Sequence, residues 1–169
     1  MTEQRKSADT RPPVFDAEDE KSVLLSFLNY QRTSIAAKVY GAPEPWARTA
    51  GVASGTSLLG LIKHLTAAEI IWFEWSFAGA DVEFADLAMK VGLGESAEQI
   101  LADYQAAVAR ANAVIEAAPD LSASAARGMG PDQEQHTLRW ILAHMIGESA
   151  RHAGHADILR EELDGSTGR

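Results

Sequence analysis

The chain contains no cysteine. That absence excludes disulfides, thiolate metal ligands and a cysteine nucleophile, and leaves histidine and carboxylate as the side chains able to hold a transition metal. It fits a cytoplasmic protein, where disulfides are rare. Basic residues are scarce as well: 15 Lys and Arg against 24 Asp and Glu give a net charge of -9 and a pI near 5.0. Without a basic face, neither nucleic acid nor an anionic membrane is an expected partner. The most apolar stretch, residues 57–80, is broken by Lys63, His64, Glu69 and Glu74 and does not read as a membrane span. The opening MTEQRKSADTRPP has no apolar signal core. No stretch alternates like a strand, and no repeat of fixed period is present. HExxH, paired ExxH, GxSxG and P-loop patterns are all missing, which leaves zincin, ferritin-like di-iron, α/β-hydrolase and nucleotide sites unsupported.

What is present is helical. The chain's 169 residues suit one domain with a substantial core. We expect an N-terminal arm over 1–14, a domain over 15–164 and a disordered tail over 165–169. Asp16 is a candidate N-cap, with Glu18, Asp19 and Glu20 in the first turn. Val23, Leu24, Phe27, Leu28, Ile35 and Val39 then recur at helix period until Gly41 and Pro43. Residues 41–56 form a loop on composition. Thr56 or Ser57 caps a second helix, about 57–78, whose face carries Leu61, His64, Leu65, Ala68, Ile71, Trp72 and Trp75. It is apolar nearly all round and should be the most buried. Gly79 ends it.

A loop over 80–94 follows, with one helical turn near Phe84 to Met89. Ser96 caps a third helix bearing Ile100, Leu101, Tyr104, Val108, Ala111 and Ile115, with Pro119 just past its end. A last loop, 118–136, leads to a fourth helix from about Thr137 to Leu163. Leu138, Ile141, Leu142, Met145, Ile158 and Leu159 supply its core contacts. Gly147 and Gly154 in this helix are expected to mark close packing against neighbours. The fold class is all-α, a four-helix bundle, with loops long enough to permit non-adjacent topology and to roof a site.

Three of the five histidines lie in HMIGESARHAGH, residues 144–155. His144, Glu148 and His152 are spaced i, i+4, i+8 and form one ridge on a helix; His155 stays on the same side. His64 is the one histidine of the second helix, on an otherwise apolar face. One ligand from that helix and two from the last make a three-ligand site with open positions, the catalytic pattern for zinc. Residue by residue the alternatives are plain: a lone apolar-face histidine is more often a satisfied core group, and an i, i+4 Glu–His pair is also a common surface ion pair. The conjunction carries the reading. His136 receives no role. Trp72, Phe73, Trp75 and Phe77 read as core and roof packing, with substrate contact a lesser option for Trp72.

Two motifs carry a family resemblance: TSLLGLIKHLTAAEIIWF (56–73), with histidine in an HLxxxE context, and ILAHMIGESARHAGHADILRE (141–161). Over roughly Val14 to Leu163 the sequence resembles the DinB-like metal-dependent bundle superfamily. The branch it resembles contains thiol-dependent transferases and mycothiol-dependent maleylpyruvate isomerase. The resemblance implies a four-helix bundle of non-sequential helix order. It implies His64, Glu148 and His152 as ligands of a divalent ion, with zinc first and nickel, manganese or iron as others. Many members have histidine where this chain has Glu148; the isomerase branch has glutamate. His155 stands where glutamine is frequent, so Glu148 and His155 compete for the third ligand position, and His144 becomes support or core. No catalytic group is implied beyond the ligands. The implied function is a metal that activates a low-molecular-weight thiol (mycothiol, bacillithiol or glutathione, with the Arg-over-Lys, alanine-rich style favouring mycothiol) for S-transfer or thiol-assisted isomerisation. Arg151 and Trp72 are candidate contacts to thiol or substrate, and a homodimer is an open expectation. The competing readings are a non-catalytic stress or ligand-binding bundle, and a metal-assisted hydrolase.

Overall fold

A computed structural model describes residues 19–83 and 85–167. Its elements are α1 (Glu20–Val39), α2 (Glu44–Arg48), α3 (Leu58–Glu69), a π-helical segment (Ile70–Phe77) continuous with α3, α4 (Ala97–Ala117) and α5 (Leu138–Asp164). The all-α expectation holds: no strand occurs among the described residues, only two isolated bridges in the loop before α5. Ser57, Ser96 and Thr137 each accept a hydrogen bond from the backbone three residues on and so cap α3, α4 and α5. Asp19 does the same for α1 through Ser22 N at 2.9 Å. The expected cap, Asp16, lies outside the described residues, as do the arm over 1–14 and Phe84.

Cross-helix bonds give the helix directions. Arg139 meets Glu20 at one end of the α1–α5 pair, and Lys38 meets Asp157 at the other, so these helices run parallel. Arg32 meets Asn112 and Tyr40 meets Gln105, so α4 runs against α1. His64 meets Glu148 and His152 while Trp72 meets Trp140 and His144, so α3 runs against α5. The order is up, down, down, up. α5 packs on α1 and α3 rather than on α4, the long helix that precedes it. This is the non-sequential bundle expected.

Such an order has one structural demand. Because α3 and α4 point the same way, residues 78–96 must travel back along the bundle. They do so as an irregular crossover that passes Met89 over Gly60 and anchors Glu95 on Lys63 at 2.8 Å. The turn expected near Met89 is absent, since residues 85–89 are irregular; passage beside α3 takes the place of a local helix. A Cβ at Gly60 would overlap the Met89 carbonyl oxygen. Gly60→Ala gains up to ~1 kcal/mol of helix propensity and loses ~1–3 kcal/mol to overpacking. The expected net result in urea denaturation is a destabilised protein with a displaced crossover.

The π-helical segment is held by the loop before α5. Ala126 N donates to Phe77 O, Arg127 N to Ser76 O, and the Arg127 guanidinium to the Trp75 and Ala80 carbonyls. Carbonyls left open at the helix end are thereby satisfied. The loop expected over 41–56 contains α2, with Pro43 at its N-cap and Pro45 in its first turn. Two further expectations fail at α5. Gly147 and Gly154 face open space, not a packed neighbour, because both lie on the outer side of the helix. Ile158 is 57% exposed rather than in the core, one position off the buried row that ends in Leu159.

Candidate metal centre

α3 and α5 are antiparallel neighbours, and their facing turns bring His64, Glu148 and His152 together. One ligand atom of each lies within 4.8 Å of the others. His64 Nε2 and His152 Nε2 are each 3.1 Å from the same oxygen, Glu148 Oε1. The side chains are 15%, 17% and 7% exposed, respectively, for His64, Glu148 and His152, so the cluster is sheltered but reachable.

Hydrogen-bond bookkeeping shows what the cluster fits. The crossover places the Leu87 carbonyl 2.8 Å from His64 Nδ1. A carbonyl only accepts, so Nδ1 carries the proton and a neutral His64 turns the Nε2 lone pair at Glu148 Oε1. Two acceptors then face each other at 3.1 Å. A cation must lie between them, either a proton or a metal ion. At His152 the proton is disfavoured: burial pushes the imidazole pKa down, with His64 and His155 adding to the fall and Glu148 opposing it. Burial pushes the Glu148 carboxyl up, but His64, His152 and Arg151 together outweigh that and leave it below its ordinary value. One carboxylate and two imidazoles on separate helices, with the far nitrogen of His64 pinned to a carbonyl, is a donor set suited to a divalent ion.

The other residues of the ridge divide in two. Toward the N-terminus of α5, His144 turns to aromatic company. Trp140 is stacked between His136 (3.8 Å, 11°) and His144 (5.0 Å, 10°), and Trp72 closes on His144 at 4.7 Å. Burial lowers the His144 pKa. His136, given no role from the sequence, belongs to this ladder. Its signal was available: 136, 140 and 144 continue the same i, i+4 spacing that leads to Glu148 and His152. Toward the C-terminus, His155 is exposed and stands apart from the three converging atoms; its Nδ1 lies 3.4 Å from His152 Nδ1. Arg151 is 66% exposed and holds Glu148 Oε2 at 3.0 Å. Leu87 escaped the sequence reading altogether, since a backbone carbonyl contact leaves no residue-type signature.

A sequence profile described as mycothiol-S-transferase matches residues 23–165. The chain belongs to the mycothiol-S-transferase family. The match spans all four long helices apart from the first turn of α1, so the DinB-like resemblance is borne out. No curated protein sequence matches the chain significantly. Among solved structures, that of a conserved protein from Enterococcus faecalis superposes with a TM-score of 0.66 at 16% identity, covering 89% of this chain and 100% of that one. At that identity the likeness supports the fold alone. Within this mycothiol-S-transferase family member, no described helix is long and apolar enough to cross a membrane.

Proposed function

We propose that the protein is a divalent-metal-dependent S-transferase that presents a low-molecular-weight thiol, mycothiol in the first instance, to an electrophile. The observation that carries this is the convergence of His64 Nε2 and His152 Nε2 on one oxygen of Glu148, in a chain of the mycothiol-S-transferase family. Zinc suits the nitrogen and oxygen donors best, with nickel, manganese and iron as the other candidates.

A divalent ion bound there supplies Lewis acidity that lowers the pKa of a coordinated thiol, so that thiolate is available at neutral pH. The remaining work belongs to the chain. His64 and His152 offer neutral lone pairs from opposing helices. Glu148 supplies one negative charge through Oε1, while its Oε2 accepts a surface hydrogen bond from Arg151. Three protein donors would leave a divalent ion able to take a thiol as a further ligand, and Arg151 beside Glu148 is exposed to solvent. Trp72 of the π-helical segment and Trp140 of α5, their rings 5.4 Å apart, offer apolar surface to a substrate.

The test combines metal analysis with turnover of 1-chloro-2,4-dinitrobenzene in the presence of mycothiol, bacillithiol or glutathione. We expect one divalent ion per chain and conjugation with mycothiol that a chelator abolishes and added zinc restores. Stoichiometric metal with no turnover for any of the three thiols would replace this reading with that of a binding protein. Turnover indifferent to chelation would end it.

A further inference from the structure

We propose that His155 is a positioning residue that holds the His152 imidazole in the tautomer needed at the metal centre. The inference rests on the reading of His64, Glu148 and His152 as the ligand set and adds a role for a residue outside it. His152 turns Nε2 toward Glu148 Oε1 at 3.1 Å and Nδ1 toward His155 Nδ1 at 3.4 Å. To bind a cation through Nε2, a neutral His152 must carry its proton on Nδ1. That proton needs an acceptor. His152 is 6% exposed, and the atom in place is His155 Nδ1. His155 then carries its own proton on Nε2, on an exposed ring where water can take it up.

The two histidines of the cluster thus solve the same problem by different means. His64 Nδ1 is held by a carbonyl brought in by the crossover. His152, one helix away, lies beyond that segment and draws its acceptor from its own helix, three residues on. A turn of α5 puts 152 and 155 on adjoining faces, with ring centroids 5.4 Å apart and planes at 62°, an edge-on approach compatible with a nitrogen-to-nitrogen bond. The same bond explains why His155 is not itself a converging donor: its Nδ1 is spent on His152, and among the described residues the group within 4.8 Å comprises His64, Glu148 and His152. Partners of this kind orient a ligand and raise its basicity, and losing one typically costs metal affinity roughly 10- to 100-fold.

The experiment uses the full chain, titrated with Co(II) and, by competition, Zn(II), and compares wild type with His155→Phe and His155→Gln. Phenylalanine keeps a flat ring and removes the acceptor; the glutamine carbonyl restores one. We expect His155→Phe to weaken Co(II) binding roughly 10- to 100-fold while the visible d–d bands keep their energies, because the ligands are unchanged. His155→Gln should recover most of the affinity. Phe binding as tightly as wild type overturns the proposal. So does a shift of the d–d bands in His155→Phe, which would make His155 a ligand. Loss of affinity that glutamine does not rescue also counts against it. Wild-type protein that binds no Co(II) would instead overturn the ligand-set reading, and this inference with it.

Discussion

On the proposed function, replacing His152 with alanine should abolish divalent-ion binding and lower kcat/KM for thiol transfer by more than ~100-fold, beyond the usual cost of losing an outer partner of a ligand. His152 is the most enclosed of the three converging side chains, and its Nε2 is one of the two nitrogens that meet Glu148 Oε1 among the described residues. Without it, two donors remain, one on each helix, and a two-donor site does not hold zinc at micromolar metal. Arg151→Ala is the contrasting control. That side chain is 66% exposed and its bond to Glu148 is a surface pair, worth at most ~1 kcal/mol. The comparison should show metal lost in one variant and kept in the other, with both still helical by circular dichroism. A His152→Ala protein with one ion per chain and near-native turnover would remove this residue from the centre.

The second large effect is expected at a buried ion pair outside the cluster. Arg32 on α1 is 3% exposed and Glu69, the last residue of α3, is fully buried. The guanidinium grips the carboxylate through Nε at 2.7 Å and Nη2 at 2.5 Å, and Nη1 donates to Asn29 and Asn112 at 2.8 and 2.7 Å. Arg32→Met leaves Glu69 buried and unpaired, which costs ~3–5 kcal/mol. For a chain of this length that is a fall in Tm of roughly 10 °C. The double variant Arg32→Met/Glu69→Leu should recover most of the loss, since two apolar groups need no partner. The pH dependence follows from the sign of the shift. Burial pushes the Glu69 carboxyl up by more than Arg32 pulls it down, so it already stands above its ordinary value. With Arg32 gone the downward pull is lost, so the folded pKa rises further above the unfolded one. The single variant is then least compromised below the ordinary glutamate range and loses stability as pH rises through the raised pKa. Urea denaturation at pH 5 and pH 8 should therefore show the larger deficit at pH 8. Equal deficits at both would contradict it.

Periodicity made most of the helical framework legible. Ser57, Ser96 and Thr137 sit where a cap and a 3.6-residue stripe coincide, and the structure starts its helices there within a residue. The same tool is blind to Ile70–Phe77, because a π-helix bonds i to i+5 and an all-apolar run has no stripe to betray the change. α2 was hidden by its two prolines, which read as loop although one of them begins the helix. In the candidate centre, spacing showed the ridge on the last helix, the lone histidine on an apolar face offered His64 as its counterpart, and the resemblance selected Glu148 and His152 from the ridge. What spacing could not show was direction around the ring. His155 shares the ridge yet meets the far nitrogen of His152, and Leu87 enters through topology, by a crossover that the parallel pair α3 and α4 requires.

The pairing of α1 with α5 also governs when the protein can fold. Glu20 and Arg139 are 119 residues apart, so the first helix has to wait for the last before its apolar face is covered. Closing so long a loop is entropically slow, and high contact order lowers the folding rate. During synthesis the ribosome releases α1, α3 and α4 as an incomplete set, with His64 presented and its two counterparts not yet made. The cluster of His64, Glu148 and His152 is therefore a late event, formed in the same step that seats α5, and a nascent chain cut short before residue 138 should have neither a closed core nor a place for an ion.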